Sequence, residues 1–418
     1  MLRTRLAAVA LAATAASVAA GIAAIGPATA SSTIRPQASA GGPGHWSEVT
    51  TAYHYTNSFQ FEDIGLARGS DGVLHVVWAS PGATRTHEVL DTPISASGKV
   101  GRAVVLASGI EMPLSTNLVS VYGLDATATP HGIDAFWITQ NGDEGIEEYS
   151  RPLKGGHWSF ATIVRPLAGD TGYGSSVAAA TGSDGKPWTG FFAVVSGTRF
   201  LVTVQHAGHP QREILPDPEC CVLGPAFGVD GRTGTTWIAY QSIGTRLGTF
   251  AQRLAADGAT IGSKIFLPHS AIGSSILPVN QRVAVTGRGH GQANVYAAYA
   301  AFTGQFVDDV DLIRLGATKP LVLFSAPHSG EIAGVALSAT PKGALWATWI
   351  EGYGLKPALF VRESNNQGAR FGRTVKVTLP SGTTAVHEVY TSAQASRLDI
   401  LVLLDRGGKT AYWATQVK

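Results

Sequence analysis

Short apolar runs recur along this chain, each carrying the same pair of positions three residues apart. In four runs both positions are aromatic: Trp188-Thr-Gly-Phe191, Trp237-Ile-Ala-Tyr240, Tyr296-Ala-Ala-Tyr299 and Trp346-Ala-Thr-Trp349. His75-Val-Val-Trp78, Asp134-Ala-Phe-Trp137 and Asp399-Ile-Leu-Val402 are looser copies. The second positions fall at 78, 137, 191, 240, 299, 349 and 402, in steps of 59, 54, 49, 59, 50 and 53 residues. A spacing of three puts two side chains on opposite faces of a strand and on one face of a helix. The Gly, Thr and Val flanks and the frequent turn signals select the strand. A sheet with large rings on both faces must be covered on both. Such strands repeating about every 54 residues predict a propeller.

Each unit resolves into four strands. Small residues open it, as in Gly65-Leu-Ala-Arg68, Val177-Ala-Ala-Ala180 and Val335-Ala-Leu-Ser338, and these suit an innermost strand. A turn such as Ser70-Asp71-Gly72 or Ser183-Asp184-Gly185 leads to the aromatic strand. Two outer strands follow across a Gly-bearing turn, as around Asp257-Gly258. The last unit ends at Tyr412-Trp-Ala-Thr-Gln-Val417 without a fourth strand. His45-Trp46-Ser47-Glu48 echoes His157-Trp158-Ser159-Phe160, which enters the fourth strand of unit two. The expected fold is therefore all-β: a seven-bladed β-propeller of four-stranded antiparallel blades over residues 45–418. The N-terminal strand closes the last blade and removes its open edge.

The first thirty residues read differently. Arg3 and Arg5 precede the uncharged, Ala-rich run Leu6 to Gly26, and Ala28-Thr29-Ala30 offers a small-residue cleavage site. This predicts a signal peptide over 1–30 and a secreted, extracellular protein. Residues 31–44 read as a disordered linker. Without Arg3 and Arg5 the 31 basic residues fall to 29, matching the 29 acidic ones. A balanced charge argues against nucleic acid and, after signal cleavage, against a membrane as partner. The expected state is a monomer.

Ser364-Asn-Asn366-Gln-Gly368-Ala-Arg-Phe371 lies in the turn between third and fourth strands of unit six. It resembles the Asp-box of sialidase-like, BNR-repeat propellers, Ser-x-Asp-x-Gly-x-x-aromatic, with Asn366 in place of the Asp. The resemblance implies the fold and a structural turn, not an activity. The arginine cluster, Tyr–Glu pair and acid Asp of sialidases find no counterparts in this sequence.

Propellers bind ligands where inter-blade connections and second-to-third turns crowd one end of the axis. The inter-blade connections hold Tyr55 and Glu62, Glu111, Asp170 and Tyr173, His269, Glu331, and His387 with Glu388. Glu62 lies three before Gly65 and Glu331 three before Gly334, and His387 is aligned with both. Glu62, Glu331 and His387 are thus the candidate catalytic set, since carboxylates beside a histidine can move protons. The same residues serve equally as hydrated loop positions. Second-to-third turns repeat a cation after Gly, giving Arg85, Arg199 and Arg246 as candidate ligands for a carboxylated sugar. A repeat-wide turn preference accounts for them equally. Tyr55 and Tyr173 are candidates for stacking on sugar rings.

Cys220 and Cys221 are the only cysteines. In an exported protein they are either bonded to each other, as a rigid vicinal platform, or free, or paired between molecules. Zinc-type spacing, a phosphate-binding Gly loop and a Gly-x-Ser-x-Gly turn are all missing from the sequence, and no cofactor or metal is expected. Val307-Asp308-Asp309-Val-Asp311 reads as a solvated loop entering a strand, with calcium as the alternative. The leading expectation is recognition of an extracellular ligand, foremost a glycan, at the axial mouth. The alternatives are a polysaccharide lyase or glycoside hydrolase on an acidic polysaccharide, and a protein-interaction scaffold.

Overall fold

The computed structural model describes residues 45–50, 64–81, 86–111, 123–139, 145–152, 156–164, 170–195, 199–214, 222–230, 233–242, 247–270, 283–287, 294–302, 307–327, 331–352, 357–365, 368–394, 397–406 and 409–417. The signal peptide, the linker, Tyr55, Glu62, Arg85, Arg246, Cys220 and Cys221 lie outside these residues. The described chain forms seven four-stranded antiparallel sheets, and six of them follow chain order. Sheet one spans Gly65–Glu111, sheet two Leu124–Val164, sheet three Asp170–Ile214 and sheet four Val222–Phe266. Sheets five, six and seven begin at Val283, Ile332 and Thr383. Sheet seven takes its fourth strand from the N-terminus, where Ser47 lies opposite Ala414 and Glu48 opposite Trp413. No helix among the described residues is long and apolar enough to cross a membrane.

The core is divided among the seams between sheets. Among the described residues seven apolar clusters form, and each draws on two consecutive sheets. One of them joins sheet seven to sheet one through Leu401, Leu403, Ile64 and Trp78. The paired positions supply these clusters from opposite faces, as their odd spacing requires. Trp349 packs toward sheet five and Trp346 toward sheet seven. Trp188 likewise faces sheet four and Phe191 sheet two. First strands of consecutive sheets pack against one another, and that of sheet seven against that of sheet one. Small side chains permit this approach: a Cβ on Gly287 would lie 1.5 Å from Val229 O in the neighbouring first strand.

The three looser copies put polar groups where the others put rings. His75, Asp134 and Asp399 are all buried. His75 Nδ1 lies 2.8 Å from Asp91 Oδ2, which also accepts the Trp158 indole N–H of sheet two at 3.0 Å. Asp134 accepts the Ser150 hydroxyl at 2.7 Å. Asp399 holds Arg68 of sheet one. The bonds of Asp91 to Trp158 and of Asp399 to Arg68 cross from one sheet to the next, whereas the Asp134–Ser150 bond lies within sheet two.

Three readings of the sequence need correction. Val307 to Asp311 is no solvated loop: it opens the strand Val307–Arg314, and Asp308, Asp309 and Asp311 are buried. The strand is a third strand between two neighbours, so its start is covered. Glu111, Asp170, Tyr173, His387 and Glu388 lie in strands, not in connections. First strands extend beyond their small-residue segment by admitting β-bulges, as between Val386 and Glu388. The strand register also undoes the match of Gly65 with Gly334, on which the alignment of Glu331 and His387 rested. Gly65 lies opposite Val77, one residue before Trp78, whereas Gly334 lies opposite Ile350, one residue after Trp349. The two glycines are two rungs apart and do not correspond.

In the Asp-box-like turn, Asn365 supplies the acceptor. Its side-chain oxygen takes the N–H groups of Ala369 and Arg370 at 3.1 and 3.4 Å. Ser364 Oγ accepts the Leu345 N–H at 2.7 Å, and Gly368 takes a φ of 66°, which favours glycine. The turn is structural.

Candidate functional site

Every sheet has two ends. At one, fourth strands connect to the next first strand and second strands turn into third; this is the connection end. At the other lie the first-to-second and third-to-fourth turns. Among the described residues, two histidine–carboxylate groupings stand at the connection end.

The first is built on the turn Pro268–His269–Ser270, between sheets four and five. Tyr299 donates its hydroxyl to Pro268 O at 2.8 Å, and Phe302 N donates to His269 O at 2.7 Å. Ser270 Oγ donates to Leu267 O at 2.7 Å and accepts the Thr249 N–H at 2.9 Å. So fixed, His269 adopts φ 59°, and it is the one non-glycine residue in the left-handed region among the described residues. Such a conformation costs about 1–3 kcal/mol and persists where the surroundings over-determine it. His269 Nδ1 lies 3.3 Å from Asp311 Oδ2; the imidazole side chain is 58% exposed, the carboxylate fully buried. Burial pushes the Asp311 carboxyl up, the His269 contact draws it down, and Asp309 raises it further. In the neutral ring Nδ1 donates to the carboxylate, and Nε2 is then the acceptor. Tyr299 is likewise raised, by burial and then by Asp311.

The second grouping belongs to sheet seven. His387 is the extra residue of the bulge between the pairs Val386–Leu404 and Glu388–Leu403. Its Nε2 lies 2.9 Å from Asp405 Oδ2, and both side chains are partly exposed. Glu388 beside it is buried and accepts the Tyr390 hydroxyl, which in turn accepts the Ile64 N–H of sheet one at 3.0 Å. Burial raises the Glu388 carboxyl to about 7, against the lowering pull of Tyr390 and His387.

The sign of the resulting pH dependence follows from that shift. Between its ordinary value of 4.5 and about 7, Glu388 holds a proton in the folded chain that it has lost in the unfolded one. Stability fully present below pH 4.5 is therefore lost as pH rises through about 7. Asp125 and Glu148, also raised to about 7 chiefly by burial, act in the same direction. Glu388→Gln is expected to shrink the fall in unfolding temperature between pH 5 and 7.5 by about 2 °C. An unchanged pH slope contradicts the assignment.

Of the residues singled out in the sequence, Glu331 and His387 stand at the connection end of neighbouring sheets but on different rungs. Glu331 O accepts the N–H of Gly352, three residues past Trp349. The corresponding rung in sheet seven pairs Ala385 with Asp405, three past Val402. Tyr173 lies opposite Ala193 in the first strand of sheet three, and Arg199 opens the third strand opposite Val195, both toward the connection end. Asp405 went unnoticed in the sequence, and Asp311 was read there as part of a solvated loop. Counting three residues past Val402 finds Asp405. Asp311 sits opposite Tyr299, so an aromatic used only as a ruler also marks the carboxylate beside it. Among the described residues, no group of three or more His, Cys, Asp or Glu could hold a metal ion.

Comparison with protein-family models gives no match, and no curated protein is detectably similar in sequence. Similarity to solved structures is extensive. The BP39L lectin from Burkholderia pseudomallei superimposes with a TM-score of 0.56 at 15% identity, over 84% of this chain and 96% of the lectin. Polysaccharide lyase Uly1 gives 0.49 at 12% identity, over 88% and 94% of the two chains. Trypanosoma rangeli sialidase gives 0.49 at 9% identity, over 88% of this chain and 58% of the sialidase. The resemblance to propeller proteins holds at the level of the fold.

Proposed function

We propose that this chain is a secreted, closed seven-bladed propeller that recognises an extracellular glycan at its connection end. The closed ring is supported by the seventh apolar cluster, between sheets seven and one, and by the N-terminal strand. The observation that carries the function is the pair of partly exposed imidazoles, His269 and His387, each held by a carboxylate at the same end of the fold. A carboxylate that fixes one ring nitrogen leaves the other with a set direction and role. Sugar hydroxyls, which both donate and accept, suit such oriented groups better than free loops. A lectin of the same architecture is consistent with this reading. Tyr55 and Tyr173 would stack on sugar rings, Arg85, Arg199 and Arg246 would favour a carboxylated sugar, and bonded Cys220–Cys221 would stiffen the neighbouring connection. The protein would act as a monomer.

A glycan array with residues 31–418 tests the proposal, followed by titration of the selected glycan into His269→Ala and His387→Ala. Each variant is expected to bind at least about tenfold more weakly, the loss of one good hydrogen bond. Because both rings are partly exposed, thermal unfolding should change little. Full affinity in both variants contradicts the proposed site. Two alkylated cysteines in the non-reduced protein would refute the vicinal disulfide.

A second reading, a lyase or hydrolase on an acidic polysaccharide, is favoured by one observation. His387 and Asp405, 2.9 Å apart and both partly exposed, form an imidazole–carboxylate pair of the kind that moves protons. There Glu62, Glu331 and His387 would move protons while the arginines hold the carboxylate. Release of unsaturated uronates or of reducing ends from the selected glycan would support it; binding without turnover favours recognition.

A further inference from the structure

The seam between sheets seven and one contains a charge imbalance at the end opposite the connections. Arg68 ends the first strand of sheet one, Arg397 precedes the second strand of sheet seven, and Asp399 is that strand's second residue. Arg68 Nη2 bonds Asp399 Oδ2, and Arg397 Nε approaches the same oxygen at 3.7 Å. Arg68 Nη1 donates to Gly72 O at 2.7 Å. None of the three side chains is more than 13% exposed. Burial lowers the Arg68 pKa; Asp399 opposes the shift and the like charge of Arg397 adds to it, so the two guanidiniums feel each other. Asp71 also acts on Arg68, but it stands in an exposed turn with Oδ1 accepting the Val73 N–H.

Two positive groups thus share one buried carboxylate, and three of their donors remain over. Arg68 Nε, Arg397 Nε and Arg397 Nη2 are buried with no hydrogen-bond acceptor. Each such donor costs about 1–3 kcal/mol, more when charged, and native proteins answer them with water or an ion. A water molecule satisfies hydrogen-bonding capacity but leaves the excess positive charge in a low-dielectric seam. A small anion answers both, and guanidinium forks are suited to it. We propose that an anion of halide size binds between Arg68 and Arg397 and completes the seam that joins the last sheet to the first.

The direct test is a crystal of the wild-type protein grown in sodium bromide, with diffraction data at the bromine edge. An anomalous peak is expected within hydrogen-bonding reach of Arg68 Nε and the Arg397 guanidinium. In solution, chloride titrated against gluconate at constant ionic strength should raise the unfolding temperature by about 2 °C and then saturate. Arg397→Met keeps much of the apolar stem while removing the donors, and should abolish that rise. Should this variant fail to fold, the bromide experiment on the wild type still decides. Water without anomalous signal at the site, or an equal halide response in Arg397→Met, overturns the proposal.

Discussion

Deleting residues 45–50 is expected to lower the unfolding temperature by about 10 °C or more, or to leave the chain unfolded. Six residues have this effect because they act on both faces of sheet seven. Val49 is buried in the cluster between sheets seven and one, and Thr50 is buried beside it. Trp46 packs on the cluster between sheets six and seven and donates its indole N–H to Thr378 O at 2.6 Å. Burial of these side chains contributes about 3–5 kcal/mol. Their loss also exposes the edge of the strand Lys409–Val417, a row of unpaired backbone groups open to aggregation. Calorimetry of the truncated protein checks this, and an unfolding temperature equal to the full chain's contradicts it.

Trp349→Ala should be the most damaging of the single substitutions at the paired positions, destabilising the fold by about 3–5 kcal/mol. Trp349 is fully buried between sheets five and six. Its ring lies 5.2 Å from that of Phe324 and 5.8 Å from that of Phe360, so its removal opens a cavity with aromatic walls. Trp237 is only partly buried in its seam, and Trp237→Ala should cost clearly less. Denaturant midpoints of the two variants, at unchanged slope, measure the difference. Equal losses would mean that the seams relax around the cavity.

The paired positions made the architecture readable because two simple constraints coincide in them. An odd spacing demands opposite faces, and large rings demand cover on both. Trp188 with Phe191 and Trp346 with Trp349 meet both demands in the structure. The N-terminal strand was readable too, because His45-Trp46-Ser47-Glu48 repeats the entry to an existing fourth strand. Residues near the connection end were harder to place. The bulge at His387 and the one between Ile332 and Gly334 insert residues that no periodicity announces. Glu331 and His387 seemed equivalent because Gly65 and Gly334 were taken as matching, and these two glycines lie on different rungs. Asp311 was misplaced for another reason: three aspartates in five residues look solvated by composition. Here Tyr299 and His269 surround a carboxylate inside the fold.

The account stands most directly on where a sugar binds. A crystal structure of the protein with the glycan selected on the array would show this. The account predicts the sugar at the connection end, hydrogen-bonded to His269 or His387. A sugar bound at the opposite end or on the outer strands, away from both histidines, would contradict it.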